Sequence, residues 1–272
     1  MAGRISRPTD SPALVHRESQ PATDQRETTV ASPDAAPTEP FVVPPEELPR
    51  HVAIIMDGNR RWARARGQTE MDGHAAGVEA IRDVIRHSVR RGIEVLSLYA
   101  FSRENWARSD AEVTGLFFLL EKAIRNETAE LRAQGARIRL LGRLQELPPE
   151  TRSSIQQALD ATAGGKRLQV NIAFNYSGRT ELVDAARSLV VQGVKPDQID
   201  EDALAGALYT AGLPDPDIVI RTGGDQRLSN FLIWQAAYAE FYFCPILWPD
   251  FGPDALDSAI VEFASRQRRF GR

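Results

Sequence analysis

The chain has 272 residues, 42% hydrophobic and 26% charged, with a formal net charge of −4. That length can bury one substantial core, and the slight negative charge argues against general nucleic-acid binding. One cysteine, Cys244, excludes an internal disulfide framework and a cysteine-based structural zinc site, and fits a reducing cytoplasm.

Residues 1–46 are rich in Pro, Ser, Thr, Ala and charge without helical or strand periodicity, so they read as a disordered tail before a single domain over 47–272. The tail lacks the apolar core of a secretory signal. No stretch reaches the roughly 18 apolar residues of a membrane span, so any membrane contact is expected to be peripheral.

Val52 to Met56 is continuously apolar, as in a strand covered on both faces of a parallel sheet, and Asp57-Gly58-Asn59 is turn chemistry. Ligands of open α/β sheets bind beyond such strand ends. Asp57 suits Mg²⁺, while Arg61 and free backbone N–H groups in the following turn suit a diphosphate. Arg60, Arg61, Arg64 and Arg66 crowd this segment, which suggests a local anion site. Taken alone, it also reads as an ordinary strand-to-helix turn with solvated arginines.

A helix over Ala75 to Arg90 presents Val78, Ile81, Ile85, Ser88 and Val89 on one face and stops at Gly92, before a strand over Ile93 to Phe101. Ser109-Asp-Ala-Glu112 is a capping box opening a helix to Gln134-Gly135. Its stripe of Val113, Leu116, Phe117, Leu120 and Ile124, widened by Phe118, Leu119 and Ala123, suits either plain core or the wall of an apolar tunnel. Further strands are expected at Ile138 to Leu141, Leu168 to Phe174 and Ile218 to Ile220. Further helices are expected at Pro149 to Ala163, Thr180 to Val191, Glu201 to Tyr209 and Pro253 to Arg268. The alternation predicts an α/β fold: one domain with a mostly parallel sheet of about six strands flanked by helices.

Three clusters lie at or beyond strand ends: Tyr99-Ala-Phe-Ser102-Arg-Glu-Asn105-Trp106-Ala-Arg108, Ile220-Arg221-Thr-Gly223-Gly224-Asp225-Gln-Arg227-Leu-Ser229-Asn230-Phe231, and Tyr238-Ala-Glu240-Phe-Tyr-Phe with Leu247-Trp-Pro-Asp-Phe after it. They supply arginines, a hydroxyl and glycines for phosphate, and one acid for a metal. The chain has no Asp-Asp pair, and hence no Asp-rich metal motif of the D-D-x-x-D type. It also has no phosphate loop of the G-x-x-x-x-G-K-[ST] type.

On H-V-A-I-I-M-D-G-N, Y-A-F-S-x-E-N-W, N-Y-x-G-R (Asn175 to Arg179), I-R-T-G-G and R-R-F-G, residues 49–272 closely resemble the cis-prenyltransferases, specifically bacterial undecaprenyl or decaprenyl diphosphate synthases. The resemblance implies Mg²⁺-dependent condensation of isopentenyl diphosphate onto an allylic diphosphate, yielding a C50 to C55 lipid carrier in an apolar tunnel between sheet and helices. It implies catalytic roles for Asp57, Asn105 and His74, with Asp57 and Glu240 as metal ligands. Gly58, Asn59, Arg60, Arg61, Trp62, Ser102, Trp106 and Arg108 would bind substrates, and Arg221, Arg227 and Ser229 would hold isopentenyl diphosphate. Read alone, Asn105 also suits a turn brace, Trp106 a core position and His74 the start of a helix. The Arg269-Phe-Gly271 ending matches a family signature that implies a homodimer.

Two departures bear on the product. Relatives commonly carry Gly at position 60 and Arg at position 70, where this chain has Arg60 and Glu70. An acid facing a diphosphate repels it unless Arg60, Arg64 or Arg66 pairs with it, and Arg60 is expected to replace part of the lost charge. Ala100 is small enough for medium-length products, whereas Phe117 and Phe118 are bulky enough to shorten a tunnel. A specialised relative making a short or irregular product is therefore a second reading. A non-catalytic partner subunit is a third, opposed by retention of Asp57, Arg61, Arg221, Arg227 and Glu240.

Overall fold

The computed structural model describes residues 42–266. Most of the expected tail, and the Arg269 to Gly271 ending, lie outside the described residues. The elements are β1 (His51–Ile55), α1 (Asn59–Ala65), α2 (Glu70–Arg91), β2 (Val95–Ser102), α3 (Asp110–Ala133), β3 (Ala136–Leu141), α4 (Pro149–Thr162), β4 (Leu168–Tyr176), α5 (Gly178–Val191), α6 (Glu201–Ala207), β5 (Ile218–Arg221), β6 (Glu240–Phe243) and α7 (Pro253–Ser265). No described helix is long and apolar enough to cross a membrane.

The six strands form one sheet in the order β3-β4-β2-β1-β5-β6, every pair parallel. This is the α/β architecture the alternating pattern predicts. All five residues of β1 are buried, as a parallel strand with both faces covered requires. On one face Val52, Ile54, Leu96 and Leu98 pack with Val84 and Ile85 of α2 and Ile260 of α7; on the other, Ala53, Ile55 and Val219 meet Phe231 and Leu232. Ile55 stands opposite both Tyr99 and Arg221, so the carboxyl ends of β1, β2 and β5 share one edge. Whatever follows those strands converges there.

Three elements differ from the sequence reading. The segment after Asp57, read as a turn, is the short helix α1, and Gly58 before it has φ +116°, a left-handed conformation that favours glycine. Helix α2 starts at Glu70 rather than Ala75, because Thr69 and Asp72 form a reciprocal capping box, with Thr69 Oγ1 accepting from Asp72 N at 3.2 Å and Asp72 Oδ2 accepting from Thr69 N at 3.0 Å. His74 therefore lies inside α2. Edge strand β6, which the sequence reading left as a cluster beyond a strand, completes the sheet.

Gly73 and Gly77 bring α1 directly onto α2. A Cβ at Gly73 would sit 2.2 Å from the Asn59 carbonyl oxygen, and one at Gly77 2.6 Å from Asn59 Oδ1. A Gly73→Ala substitution must therefore push α1 and Asn59 away, at a cost of about 2 kcal/mol. Chemical denaturation will show that loss, while Gly206→Ala in α6, where a Cβ meets nothing within 4 Å, will be neutral or stabilising by a few tenths of a kcal/mol.

Candidate active site

The site is built where β1 and β5 end side by side. Thr222 ties the two loops together: its Oγ1 accepts from Asp57 N at 2.9 Å and donates to the Asp57 carbonyl oxygen at 2.7 Å. The Asp57 carboxylate is thereby aimed at two guanidiniums. Arg221 Nη2 donates to Oδ2 at 2.8 Å, and Arg61 Nη2 lies 3.2 Å from Oδ1. Arg61 also donates to the Gly223 carbonyl oxygen at 2.6 Å. Gly223 has φ +81°, and a Cβ there would fall 2.6 Å from Arg61 Nη2, so the close approach needs glycine.

The Arg221 side chain is 4% exposed. Besides Asp57, it donates to Ser229 Oγ at 2.6 Å and the Arg227 carbonyl oxygen at 2.5 Å, but its buried Nε has no partner. Burial pushes the Asp57 carboxyl up, yet the Arg221 hydrogen bond and charge, joined by Arg61, outweigh it and hold the group below the usual carboxylate range. It is a carboxylate at neutral pH.

Around this pair lies a polar cavity of about 570 Å³. Asp57, Asn59, His74, Ser102, Asn105, Arg108, Arg221, Arg227 and Ser229, all singled out from the sequence, line it together. Asn105 Oδ1 accepts from Ser102 N at 3.0 Å, which braces the turn. Arg227 is mostly exposed and pairs with Asp225 at 2.6 Å. His74 lies 3.4 Å from Glu112, which pairs with Arg108 at 2.7 Å. Burial, aided by the Arg108 charge, outweighs the Glu112 hydrogen bond and lowers the His74 pKa, so the ring is neutral at pH 7.

Met56, Asn59, His74, Ala100 and Leu116 also line a second, apolar cavity between the sheet and α2–α3, with about 160 Å³ open to a water-sized molecule. Leu119, Leu120, Ala123 and Ile124 of the α3 stripe face it. Phe117 does not: it packs among Phe101, Trp106 and Phe174. Phe118 points outward, 60% exposed. The bulk expected to shorten a tunnel is thus absent from the cavity wall.

Other sequence expectations land elsewhere. Gly58 and Arg61 are not in the lining of the polar cavity, although Arg61 pairs with Asp57, which is. Trp62 donates to Asp250 at 2.6 Å, with Arg66 stacked on its ring. Trp106 is 43% exposed, and its indole donates to Asn175 Oδ1 at 2.9 Å. Glu240 does not join Asp57 within one chain. Parallel register sets it opposite Ile218 at the start of β5, the other end from Arg221, and its carboxylate pairs with Arg266 at 2.9 Å. Arg60 and Arg64 both pair with Glu70, whose Oε1 lies 2.7 Å from Arg60 and 2.9 Å from Arg64, which is the pairing expected to offset that acid.

Sequence reasoning missed Thr222, Glu112 and Glu104. Thr222 sat inside a quoted motif without a role, and Glu112 was read as a capping side chain. Ser109 Oγ does accept from Glu112 N at 3.3 Å, but the carboxylate turns to Arg108 and His74 instead. Glu104 reaches the cavity wall by way of the loop after β2 and accepts from Asn230 at 3.1 Å.

Replacing Asp57 by Asn leaves the buried Arg221 charge with only the longer 3.4 Å contact to Asp225, at a cost of about 2 kcal/mol. Because the Asp57 pKa is depressed in the folded state, its contribution is complete above the unfolded carboxyl value and lost as pH falls through the folded one. Urea titrations of wild type and Asp57→Asn will show a constant stability gap from pH 5 to 7 that narrows only below about pH 4.

Residues 55–271 match the family model described as putative undecaprenyl diphosphate synthase. The chain is 47% identical over 233 residues to an isoprenyl transferase of Heliobacterium mobile, covering 84% of this chain and 90% of that one. It is 49% identical over 227 residues to one of Brucella suis, covering 82% and 89%. Among solved structures, lavandulyl diphosphate synthase of Lavandula x intermedia, crystallised with dimethylallyl diphosphate, superposes with a TM-score of 0.81 at 38% identity, over 84% of this chain and all of that one. A probable undecaprenyl diphosphate synthase of Campylobacter jejuni gives 0.70 at 32% identity, over 82% and 99%. The charged strand-end cavity and these likenesses have one conclusion: the chain belongs to the undecaprenyl diphosphate synthase family and is a prenyltransferase.

Proposed function

We propose that the protein condenses isopentenyl diphosphate with an allylic diphosphate in a Mg²⁺-dependent cis-prenyl transfer, and that its product is a polyprenyl diphosphate of the C50 to C55 lipid-carrier type. One observation carries this reading: an arginine-lined polar cavity and an apolar one lie side by side, sharing Asn59, His74, Ala100 and Leu116 in their linings. That arrangement suits a ligand with an anionic head and a hydrocarbon tail.

The allylic diphosphate belongs beside Asp57, Asn59 and Arg61, and the isopentenyl diphosphate beside Arg221, Arg227 and Ser229. Arg221 is pre-positioned by Asp57, Ser229, the Arg227 carbonyl and, at 3.4 Å, Asp225, and keeps its Nε for a phosphate oxygen. Among the described residues, no three His, Cys, Asp or Glu side chains gather as a metal cage. Asp57 alone fits Mg²⁺, which commonly takes one carboxylate and completes its shell with substrate phosphates and water. Bound there, the ion would neutralise charge developing on the leaving diphosphate.

The new bond joins allylic C1 to isopentenyl C4 as diphosphate departs and a proton leaves isopentenyl C2. Neutral His74 adds no positive charge beside the allylic cation character, and Asn105, its Oδ1 held by Ser102, keeps its Nδ2 for substrate. Trp106 braces the loop from its aromatic cluster instead of meeting substrate. Membrane contact is peripheral in this reading, with the protein cytoplasmic. Edge strand β6, beside the exposed Tyr238, suits a homodimer contact.

A second reading, a short or irregular product, is favoured by Glu70, which ties up two cations near the allylic head, and by the likeness to lavandulyl diphosphate synthase. Incubation with Mg²⁺, labelled isopentenyl diphosphate and dimethylallyl, geranyl or farnesyl diphosphate, with products sized by mass spectrometry and NMR, separates the two. Repeated cis C5 additions are expected; a single branched product would replace the first reading by the second. Asp57→Ala will lower kcat at least 100-fold. Glu70→Gln frees Arg60 and Arg64 and will lower the allylic KM about fivefold, on the order of 1 kcal/mol, in steady-state assays.

A further inference from the structure

The seam between α2 and α3 is a single layer of side chains. Val78, Leu119, Ala123 and Glu127 line the apolar cavity on its inner side and also a small surface groove on its outer side. Set into this layer is an ion pair. Arg82 Nε donates to Glu127 Oε2 at 2.7 Å, and its Nη2 donates to Oε1 of the same carboxylate. One turn on, Arg86 Nε donates to Glu130 Oε1 at 2.5 Å.

The Arg82 and Glu127 side chains are only 30% and 17% exposed, and both line the apolar cavity. Charges placed in an apolar wall are costly, and a hydrophobic pair would seal it at least as well. Apolar side chains, however, hold a seam through diffuse contact, whereas a bidentate pair holds it at one geometry and lets go as a unit once that geometry is lost. Arg82 lies about 12 Å along α2 from His74 at 1.5 Å rise per residue, so it stands beside the far part of a bound chain and not at the reacting carbons.

We propose that the α2–α3 seam is a lateral gate for the hydrocarbon chain and that Arg82–Glu127, backed by Arg86–Glu130, is its latch. Closed, the latch restricts the cavity to a short chain; parted, it lets a longer chain occupy or leave through the seam. The inference rests on reading the apolar cavity as the chain's site.

The test compares wild type with the near-isosteric Glu127→Gln, which breaks the ion pair without adding an apolar seal, and with Arg82→Gln as an independent break of the same pair. Asp257→Asn serves as control, because it breaks α2–α7 contacts with His87 and Arg91 that do not line the cavity. Binding of C15 and C35 prenols is followed by quenching of tryptophan fluorescence, Trp248 being in the cavity wall. Product length is measured in parallel from farnesyl diphosphate.

Latch variants will bind the C35 prenol at least tenfold tighter with C15 affinity unchanged, and will shift the most abundant product by one or more C5 units. The control will do neither. Unchanged length preference in latch variants that lose only thermal stability would overturn the gate. A shift in prenol preference with no chain-extended product from wild type would uphold the gate and overturn the proposed reaction.

Discussion

The Asp57–Arg221 pair is the constraint around which the site is arranged. A parallel sheet brings the carboxyl ends of its strands to one edge, and register sets Ile55 against Arg221, so Asp57, two residues beyond β1, meets the last residue of β5. Arg221 is 4% exposed and could not stay charged there alone. Asp57, Ser229 Oγ and the Arg227 carbonyl satisfy most of its donors and in doing so fix the β5 loop against the β1 loop. They leave the buried Nε without a partner, and it is this donor that the proposed reading gives to a phosphate oxygen.

Much of this was legible in the sequence because the signals were local. A continuous apolar run ending in Asp57-Gly58-Asn59 names a buried strand and its tip, and the same logic recovers Ser102, Asn105, Arg221, Arg227 and Ser229 at other strand ends. What was not legible depends on distant partners. The helix α1 is too short to be stable alone and exists because Gly73 and Gly77 let it lie on α2. Strand β6 is a four-residue edge strand whose pairing and register are set by β5, and that register carries Glu240 to the end of the sheet away from Asp57. Thr222 and Glu112 carried readable residue types, but their partners lie far off in sequence: Asp57 for Thr222 and His74 for Glu112.

Glu70 shows how an unfavourable charge becomes tolerable without being compensated at the site. Arg60 and Arg64 both close on one of its oxygens, so the cluster of cations after Asp57 is partly spent on an internal acid. Arg61 is directed instead to Asp57 and Gly223. In the proposed reading the anion-binding character of the tip therefore falls on Arg61 and Arg221, not on the arginine count that first draws the eye.

The polar side-chain pairs between α2 and α3 follow from the empty space those helices enclose. Helices in a solid core are held by close contact along a shared stripe, but a cavity removes partner atoms from that stripe, and each lost contact forfeits dispersion energy. The inward residues of α2 and α3 face such a cavity. His74–Glu112 ties the two helices at the mouth, and Arg82–Glu127 and Arg86–Glu130 tie them farther along. Directional pairs at the rim thus do the holding that packing would do elsewhere. A seam held at points can part without unravelling a packed core, so the same feature that keeps the cavity open for a chain makes its wall able to yield to one.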